Sequence, residues 1–491
     1  MKKGVQIFSF IQRGNGSGRA TSIYLFSKLF SKSLAFLLIP VWTSVYVPSE
    51  YGMIGTLIAW AGVLSPLVLL GLPSALIRLR SDFESEDEWH VLVTSVSVVV
   101  VGCGILFLVA GLIFGPWVWE QIHSGGIPFW PYVPFALTGI AVSCLGRVGL
   151  AVQQANLKPG RAIFYEQLLG LGTTLLALIF VVLLSGGVIG YQIAGLLSGL
   201  ICSLVFVNEV RKSKLCAIFD FSKVKIALAF GIPLIPQALA AWVLGLSDRV
   251  MVERYSGLVE AGYYNLAANF GVVISMVAIS IYQAVLPRYL QRAKHSFESL
   301  PERRLALRKV VIQGFVVLVG IFVMAASAGP MVLGWMINER YVEALPLLVP
   351  LLGGCFFFGI SQFLLLPLLY KKKTGLLATI TTAGAILNVG LNLYFIPEYG
   401  AMAAAYTTLA SYIVTCGLVY FFAHRADWFG ISIVELFAIC GGASACIVIC
   451  LWFDGPTVAD LAWRFGLNGI LVVSFAVWLW NLFGAHKSEI W

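Results

Sequence analysis

Positively charged side chains interrupt two of the apolar segments of this sequence. Lys28 and Lys32 are four residues apart, so a helix places both on one face. A pair of cations that faces an aqueous lumen can replace the hydration shell of an anion, and the planar guanidinium of Arg147, in another apolar segment, suits a phosphate. We therefore expect Lys28, Lys32 and Arg147 to bind an anionic substrate. Snorkelling of these side chains to a membrane surface is the alternative interpretation.

Acidic and amide side chains also stand inside apolar segments. Glu166 lies in the segment after Arg147, where it could pair with Arg147 or Lys28 or carry a coupling proton. Neighbouring residues of a helix point to different faces, so we expect ion coupling or a structural salt bridge for Asp248 and a phosphate contact for Arg249. Asn269 is a candidate for a polar contact with the substrate, although hydrogen bonds between helices are the simpler explanation. The amides in apolar segments are Gln237, Asn265, Asn269, Gln283, Asn388 and Asn392.

The sequence offers no motif for catalysis or metal binding. Its nine cysteines form neither a CxxC motif nor a Cys/His cluster, so we expect no metal site and no disulfide framework. The run GNGSGR near the N-terminus is not followed by the GK[ST] of a phosphate-binding loop. We expect no catalytic residue, no metal and no cofactor.

Composition places these residues in a membrane. Of the 491 residues, 59% are hydrophobic and 11% charged, and the mean hydropathy is +0.92. A soluble domain has about a quarter charged residues, and the apolar residues here fall into windows of roughly 20, the length that crosses a bilayer. We predict an all-α polytopic membrane protein of about fourteen transmembrane helices with no soluble domain.

The predicted spans are regularly spaced along the chain. Pro, Gly and charged residues separate most of them. Their ranges are 21–46, 52–77, 91–115, 130–153, 162–184, 188–208, 227–252, 262–287, 310–333, 344–370, 375–396, 400–423, 432–453 and 463–484.

The positive charges support this count. With the N-terminus in the cytoplasm and the spans alternating in direction, 25 of the 32 Lys and Arg residues fall in cytoplasmic segments. Only Arg249, Arg254, Arg340 and Arg464 fall at the outer side. An excess of Lys and Arg is typical of cytoplasmic loops. The net charge of +9 is therefore explained by topology rather than by nucleic acid binding, and both termini are predicted to be cytoplasmic.

An internal repeat divides the chain. The motif Glu50-Tyr-Gly52 recurs as Glu260-Ala-Gly262 at an offset of 210 residues, and Gly187 recurs as Gly400 at an offset of 213. We predict two pseudo-symmetric six-helix lobes related by an axis along the membrane normal. The predicted divisions are a cytoplasmic tail 1–20, an N-lobe 21–208, a basic linker 209–226, a C-lobe 227–423, and a final part 424–491 with an appended helix pair and the C-terminus.

Three stretches resemble the polysaccharide transporter family of the multidrug/oligosaccharidyl-lipid/polysaccharide exporter superfamily. The first, Ser27–Gly52, has a Lys-bearing helix, an Ile-Pro and the turn PSEYG. The second, Ser247–Pro287, has Asp-Arg, a Gly-Tyr-Tyr-Asn-Leu-Ala motif and a closing Pro. The third, Leu387–Tyr412, contains LNVGLNLYFIPEYG and departs from the family pattern at Ala403, where Gly is frequent.

The resemblance implies a function as well as a fold. It implies a flippase that uses alternating access to move a polyprenyl-pyrophosphate-linked oligosaccharide, such as an O-antigen or exopolysaccharide unit, across the bacterial inner membrane. The implied partners are membrane lipid, this carrier-linked glycan, and the polymerase and chain-length proteins of the same pathway. The alternatives are a peptidoglycan-precursor flippase, a small-molecule antiporter of the same superfamily, and a membrane polymerase or glycosyltransferase. The short outer loops disfavour the enzymes, and the cations disfavour a cation exporter.

Overall fold

The described part of the chain is built from helices. The computed structural model describes residues 27, 30–31, 33–122, 126–212, 219–294, 300–371, 373–426, 433–452, 463–464, 466–471 and 474, and every regular element in these residues is helical. Lys28 and Lys32 lie outside the described residues. The chain separates into two compact units, one formed by Met1–Trp242 with Gly257–Val259 and the other by the remaining residues to Trp491.

The first unit contains nine described α-helices. They are α1 Ile39–Val45, α2 Pro48–Leu69, α3 Leu72–Leu79, α4 Glu86–Ile122, α5 Tyr132–Ala155, α6 Pro159–Gln167, α7 Thr173–Ala177, α8 Gly187–Lys212 and α9 Phe221–Gly231. The turns Leu168–Gly172 and Leu178–Leu183 are π-helical. They extend α6 and α7 into one continuous apolar span.

Six further α-helices follow. They are α10 Ile235–Lys294, α11 Leu300–Met336, α12 Leu345–Leu364, α13 Leu366–Tyr370, α14 Thr374–Ala426 and α15 Ile433–Trp452. Two of them are pairs of helices that meet at a glycine with positive φ, Gly257 (φ +87°) in α10 and Gly400 (φ +62°) in α14. Glycine adopts this conformation without the steric penalty that a side chain brings.

The helices are long and apolar enough to cross a membrane. Ten helical segments within the described residues meet this criterion, and two of the ten contain the breaks at Gly257 and Gly400. The predicted multi-pass, all-α architecture is therefore confirmed. The first and last predicted spans, 21–46 and 463–484, are described only in part, so the count of fourteen stays a prediction.

The repeated motifs make matching contacts in the two units. In the first unit, Gly187 (φ +53°) begins α8, and a Cβ on it would lie 3.8 Å from the Glu50 carboxylate. In the second, a Cβ on Gly400 would lie 3.1 Å from Glu260, whose Oε2 accepts a hydrogen bond of 3.1 Å from the amide of Ala401. Each glutamate thus lies against the N-terminus of the last helix of its repeat, where the helix dipole favours an anion.

Two glycines bring backbones together in the first unit. Gly71, with φ +67°, stands between α2 and α3, and a Cβ on it would lie 2.2 Å from the carbonyl oxygen of Gly231 at the end of α9. A Cβ on Gly231 would lie 2.5 Å from the carbonyl oxygen of Leu70. The packing of α3 against α9 therefore depends on the absence of side chains at both positions.

Candidate functional site

A cavity of about 220 Å³ lies inside the first unit. Its walls come from α2, α5, the span Pro159–Leu183 and α8, and most of its lining side chains are apolar. Arg147 of α5 is the one charged side chain among the described residues that line it. The polar residues around Arg147 are Ser143, Thr173, Tyr191 and Gln192.

Close packing on one face of α5 orients Arg147 toward the cavity. The glycines on either side of it contact neighbouring helices, because a Cβ on Gly146 would lie 2.7 Å from Cys202 Sγ and one on Gly149 would lie 2.5 Å from the Tyr165 ring. Arg147 itself is exposed. It forms no ion pair within the described ranges, so the pairing of Glu166 with Arg147 does not form there, and the alternative partner Lys28 lies outside the described residues.

The polar residues of this cavity offer hydrogen-bond acceptors. Gln192 Nε2 donates a bond of 2.8 Å to the carbonyl oxygen of Tyr132, which fixes the orientation of the amide. Gln192 Oε1 is buried and receives no hydrogen bond from a described residue. Ser143 and Thr173 donate to carbonyl oxygens of their own helices, at 3.1 and 2.8 Å, and keep lone pairs for a ligand. Together with Arg147, the cavity can bind an anion and neighbouring hydroxyl groups.

A second polar cluster surrounds Asp248 in the other unit. Asp248 is only 2% exposed, and its Oδ2 accepts hydrogen bonds from the Tyr264 hydroxyl at 2.5 Å and from Thr408 Oγ1 at 2.7 Å. Its Oδ1 receives no hydrogen bond within the described part of the chain. Among the described residues, the hydrogen-bond donors to this buried carboxyl are hydroxyl groups. A buried carboxyl held in this way can take up a proton or face a small cation.

Two asparagine side chains are linked to that cluster through Thr407, the sequence neighbour of Thr408. Asn392 Nδ2 donates to Asn388 Oδ1 at 3.1 Å, and Thr407 Oγ1 donates to Asn392 Oδ1. Thr407 directly precedes Thr408, which binds Asp248. Both asparagines are fully buried.

Two of the predicted substrate contacts lie together in this unit. Arg249 Nη2 donates a hydrogen bond of 3.2 Å to Asn269 Oδ1, and Arg249 is only 6% exposed. The structure thus brings Arg249 and Asn269 into contact, and it places Arg147 in the separate cavity of the first unit.

Glu166 belongs to a third region, at the start of the span Pro159–Leu183. The residue after it, Gln167, exchanges hydrogen bonds with Ser27 and Ser31. This contact ties the described residues around Lys28 and Lys32 to α6, although the two lysines themselves lie outside the described residues.

Several residues of these sites did not emerge from the sequence. Gln192, Tyr264 and Thr408 are uncharged and lie in apolar helices, where hydroxyl and amide groups are common packing residues. The only signal in the sequence was the Gly-Tyr-Tyr-Asn stretch that contains Tyr264. A partner for Asp248 that is 160 residues away becomes visible only in three dimensions.

Comparison with known proteins supports the family resemblance of the motifs. Residues 17–292, more than half of the chain, match the model of a family described as polysaccharide biosynthesis protein. An uncharacterized membrane protein of Methanocaldococcus jannaschii is 20% identical over 415 residues, which are 81% of this chain and 82% of that protein.

Solved structures of transporters share the fold. The lipid II flippase MurJ in an inward closed conformation matches with a TM-score of 0.74 and 14% identity, over 94% of this chain and 99% of that one. An inward-facing multidrug resistance MATE transporter of the MOP superfamily matches with a TM-score of 0.63 and 16% identity, over 80% and 94%. A MOP superfamily transporter of Pyrococcus furiosus has a TM-score of 0.54 and 14% identity, over 88% and 100%. At these identities the likeness concerns the fold.

Proposed function

The chain belongs to the polysaccharide biosynthesis protein family, and we propose that it is a flippase for polyprenyl-pyrophosphate-linked oligosaccharides. In this proposal it works by alternating access in the bacterial inner membrane, with both termini cytoplasmic, and performs no catalytic step. An O-antigen or exopolysaccharide unit is the proposed cargo. The polymerase and chain-length proteins of the same pathway are proposed partners.

The Arg147 cavity is the observation that carries this proposal. A pyrophosphate that leaves water needs a cation, and an arginine without an ion pair among the described residues can supply one. The sugars next to the pyrophosphate need hydrogen-bond acceptors, and Gln192 Oε1 is a buried acceptor in the same cavity. The apolar remainder of the wall suits the carrier.

The other predicted residues extend the proposal. Lys28 and Lys32 are proposed as further phosphate ligands, and Arg249 with Asn269 as a second polar contact for the substrate. Asp248, held by two hydroxyl groups, is proposed as the group that couples transport to an ion gradient. Glu166 is proposed as a second coupling carboxylate.

The proposal is tested first by deletion and complementation. A deletion strain is expected to lose surface polysaccharide and to accumulate carrier-linked units on the cytoplasmic side of the membrane. Arg147→Gln removes a charge-assisted hydrogen bond, which contributes about 1.5–3 kcal/mol, so transport is expected to fall roughly tenfold to a hundredfold. Arg147→Lys retains the charge and should keep part of the activity.

A matched control removes a cation outside the cavity. Arg78, which is 56% exposed and pairs with Asp82, is replaced by Gln, with the amount of each variant in the membrane measured alongside. Normal polymer from Arg147→Gln, or an equal loss from Arg78→Gln, would contradict the role of the cavity. Lys32→Ala is expected to abolish surface polymer while the protein stays in the membrane.

Coupling is tested at Asp248. Asp248→Asn keeps the size and shape of the side chain and one acceptor oxygen, but it replaces the other carboxylate oxygen with an NH2 group and so removes the ionisable group. Transport into vesicles driven by a proton or sodium gradient is expected to lose its dependence on that gradient, whereas replacement of the exposed Glu398 by Gln should leave the dependence unchanged. If transport by the Asp248→Asn variant still depends on the gradient, Asp248 is excluded as the coupling group.

Topology is tested by labelling. A cysteine added at the C-terminus should not react with an impermeant maleimide in intact cells. Labelling from outside would place the C-terminus at the outer face of the membrane and would contradict the proposed cytoplasmic location.

A flippase for a peptidoglycan precursor is the second candidate. The TM-score of 0.74 with the lipid II flippase MurJ favours it. The deletion experiment separates the two, because loss of lipid II transport arrests cell-wall synthesis and causes lysis, whereas loss of a surface-glycan flippase leaves peptidoglycan synthesis running.

A further inference from the structure

A second cavity, of about 130 Å³, lies at one end of the first unit. It is formed where α4 begins, α5 ends, α6 begins and α8 ends, and we name it the terminal pocket. Its apolar wall includes Phe206, and its polar wall includes His90, Gln153, Lys158, Arg161 and Glu209. It shares no lining residue with the Arg147 cavity. The proposed transport function therefore does not use it.

The polar wall of the terminal pocket has an excess of positive charge. Glu209 is its one described carboxylate, and Arg161 Nη1 lies 4.0 Å from Glu209 Oε1. Glu209 Oε2 is already engaged, because it accepts hydrogen bonds from Gln153 Nε2 at 2.7 Å and from the Tyr165 hydroxyl at 3.0 Å. Lys158 forms no ion pair in the part of the chain that the structure describes. An anion therefore finds an uncompensated cation at this pocket.

One buried acceptor in the pocket also lacks a donor. Gln153 is only 4% exposed, and its Nε2 is fixed by Glu209. That bond directs Oε1 away from Glu209, and Oε1 receives no hydrogen bond from any described residue. A buried carbonyl oxygen without a donor is unfavourable because it has lost its hydrogen bond to water. A ligand that places a hydroxyl or amine at Gln153 Oε1 would remove this penalty.

The position of the pocket limits the source of the ligand. Four helices that are long and apolar enough to cross a membrane end or begin here, so we expect the pocket at the depth of the lipid head groups. Basic pockets between membrane helices at this depth bind lipid phosphates. The apolar wall around Phe206 suits the glycerol and the start of the acyl chains.

We propose that the terminal pocket binds a phospholipid head group, with Lys158 and Arg161 on its phosphate and Gln153 Oε1 on a hydrogen-bond donor beyond the phosphate. Phosphatidylethanolamine has both groups. Phosphatidylcholine has the same phosphate but no N–H donor. The preference between these two lipids therefore reports on Gln153, and binding of either reports on the cations.

The experiment is native mass spectrometry of the full-length protein in detergent with equal amounts of the two lipids. We expect retention of one phosphatidylethanolamine in preference to phosphatidylcholine by about tenfold, the effect of one hydrogen bond to a buried acceptor. Lys158→Gln/Arg161→Gln should lose this lipid. Gln153→Leu should retain lipid but bind both head groups equally, with thermal unfolding confirming that it is folded.

A matched control removes two exposed cations of the same unit outside the pocket. Arg78→Gln/Lys225→Gln should retain phosphatidylethanolamine as the unsubstituted protein does. Equal retention of both lipids by the unsubstituted protein, or equal lipid loss in the control, would overturn the proposal. Displacement of the lipid by millimolar inorganic phosphate would overturn the lipid assignment and make the pocket a site for free phosphate. Because the readout is binding and not transport, its failure would leave the flippase proposal unaffected.

Discussion

Replacement of Glu260 tests whether its carboxylate holds the break in α14. Glu260 Oε2 accepts the amide hydrogen of Ala401, the residue after Gly400, at 3.1 Å. A hydrogen bond to a charged group contributes about 1.5–3 kcal/mol, and an anion at a helix N-terminus about 0.3–1 kcal/mol. Glu260→Ala removes both contributions.

The expected loss of stability is therefore about 2–4 kcal/mol for Glu260→Ala. For a unit of this size, each kcal/mol lowers the melting temperature by about 2–4 °C, so we expect a decrease of roughly 4–16 °C. Glu260→Gln keeps an acceptor oxygen and loses only the charge. It should fall between Glu260→Ala and the unsubstituted protein.

Thermal unfolding of the full-length protein in detergent, followed by tryptophan fluorescence, measures these shifts. The matched control is Glu398→Ala, which removes an exposed carboxylate two residues before Gly400. It should leave the melting temperature within about 1–2 °C of the starting value, because surface substitutions change stability by less than about 0.5 kcal/mol. A shift for Glu260→Ala no larger than that of Glu398→Ala would refute the reasoning.

Two further predictions concern packing in each unit. Gly71→Ala should prevent folding of the first unit, because its Cβ would lie 2.2 Å from the carbonyl oxygen of Gly231. Size-exclusion chromatography checks this, and we expect the variant to show no monodisperse peak. A monodisperse, folded variant would contradict the prediction. Arg308 and Glu435 form an ion pair with side chains 13% and 10% exposed. Arg308→Gln should destabilise the protein by up to about 3–5 kcal/mol because it removes a cation from the buried Glu435 carboxylate. Addition of Glu435→Gln should restore much of the melting temperature, and an unchanged temperature in the single variant would exclude a buried pair.

The repeated motifs predicted equivalent positions in the two halves of the chain but not the contacts between those positions. The sequence predicted that the segment after Glu50 matches the segment after Glu260 and that Gly187 matches Gly400. It did not predict that each glutamate lies against its glycine. A regular offset identifies equivalent positions, but contact between residues 141 apart, such as Glu260 and Ala401, depends on how the helices pack.

The candidate site shows the same limit. The sequence singled out Arg147, Asp248 and Arg249, because a charge inside an apolar segment is conspicuous. It proposed Arg147 or Lys28 as a partner of Glu166. No ion pair forms between the described Glu166 and Arg147, and Lys28 lies outside the described residues. It missed Gln192, which supplies the acceptor beside Arg147.

What the sequence determined by itself is the membrane architecture. The length of an apolar segment and the charge of its flanks are properties of neighbouring residues, so the spans and the family can be read from the linear chain. What only the tertiary structure decided is which polar groups meet. The pairs Asp248 with Thr408 and Gln153 with Glu209 join residues far apart in sequence. Hydrogen bonds act over about 3 Å, and only the packed helices set distances on that scale.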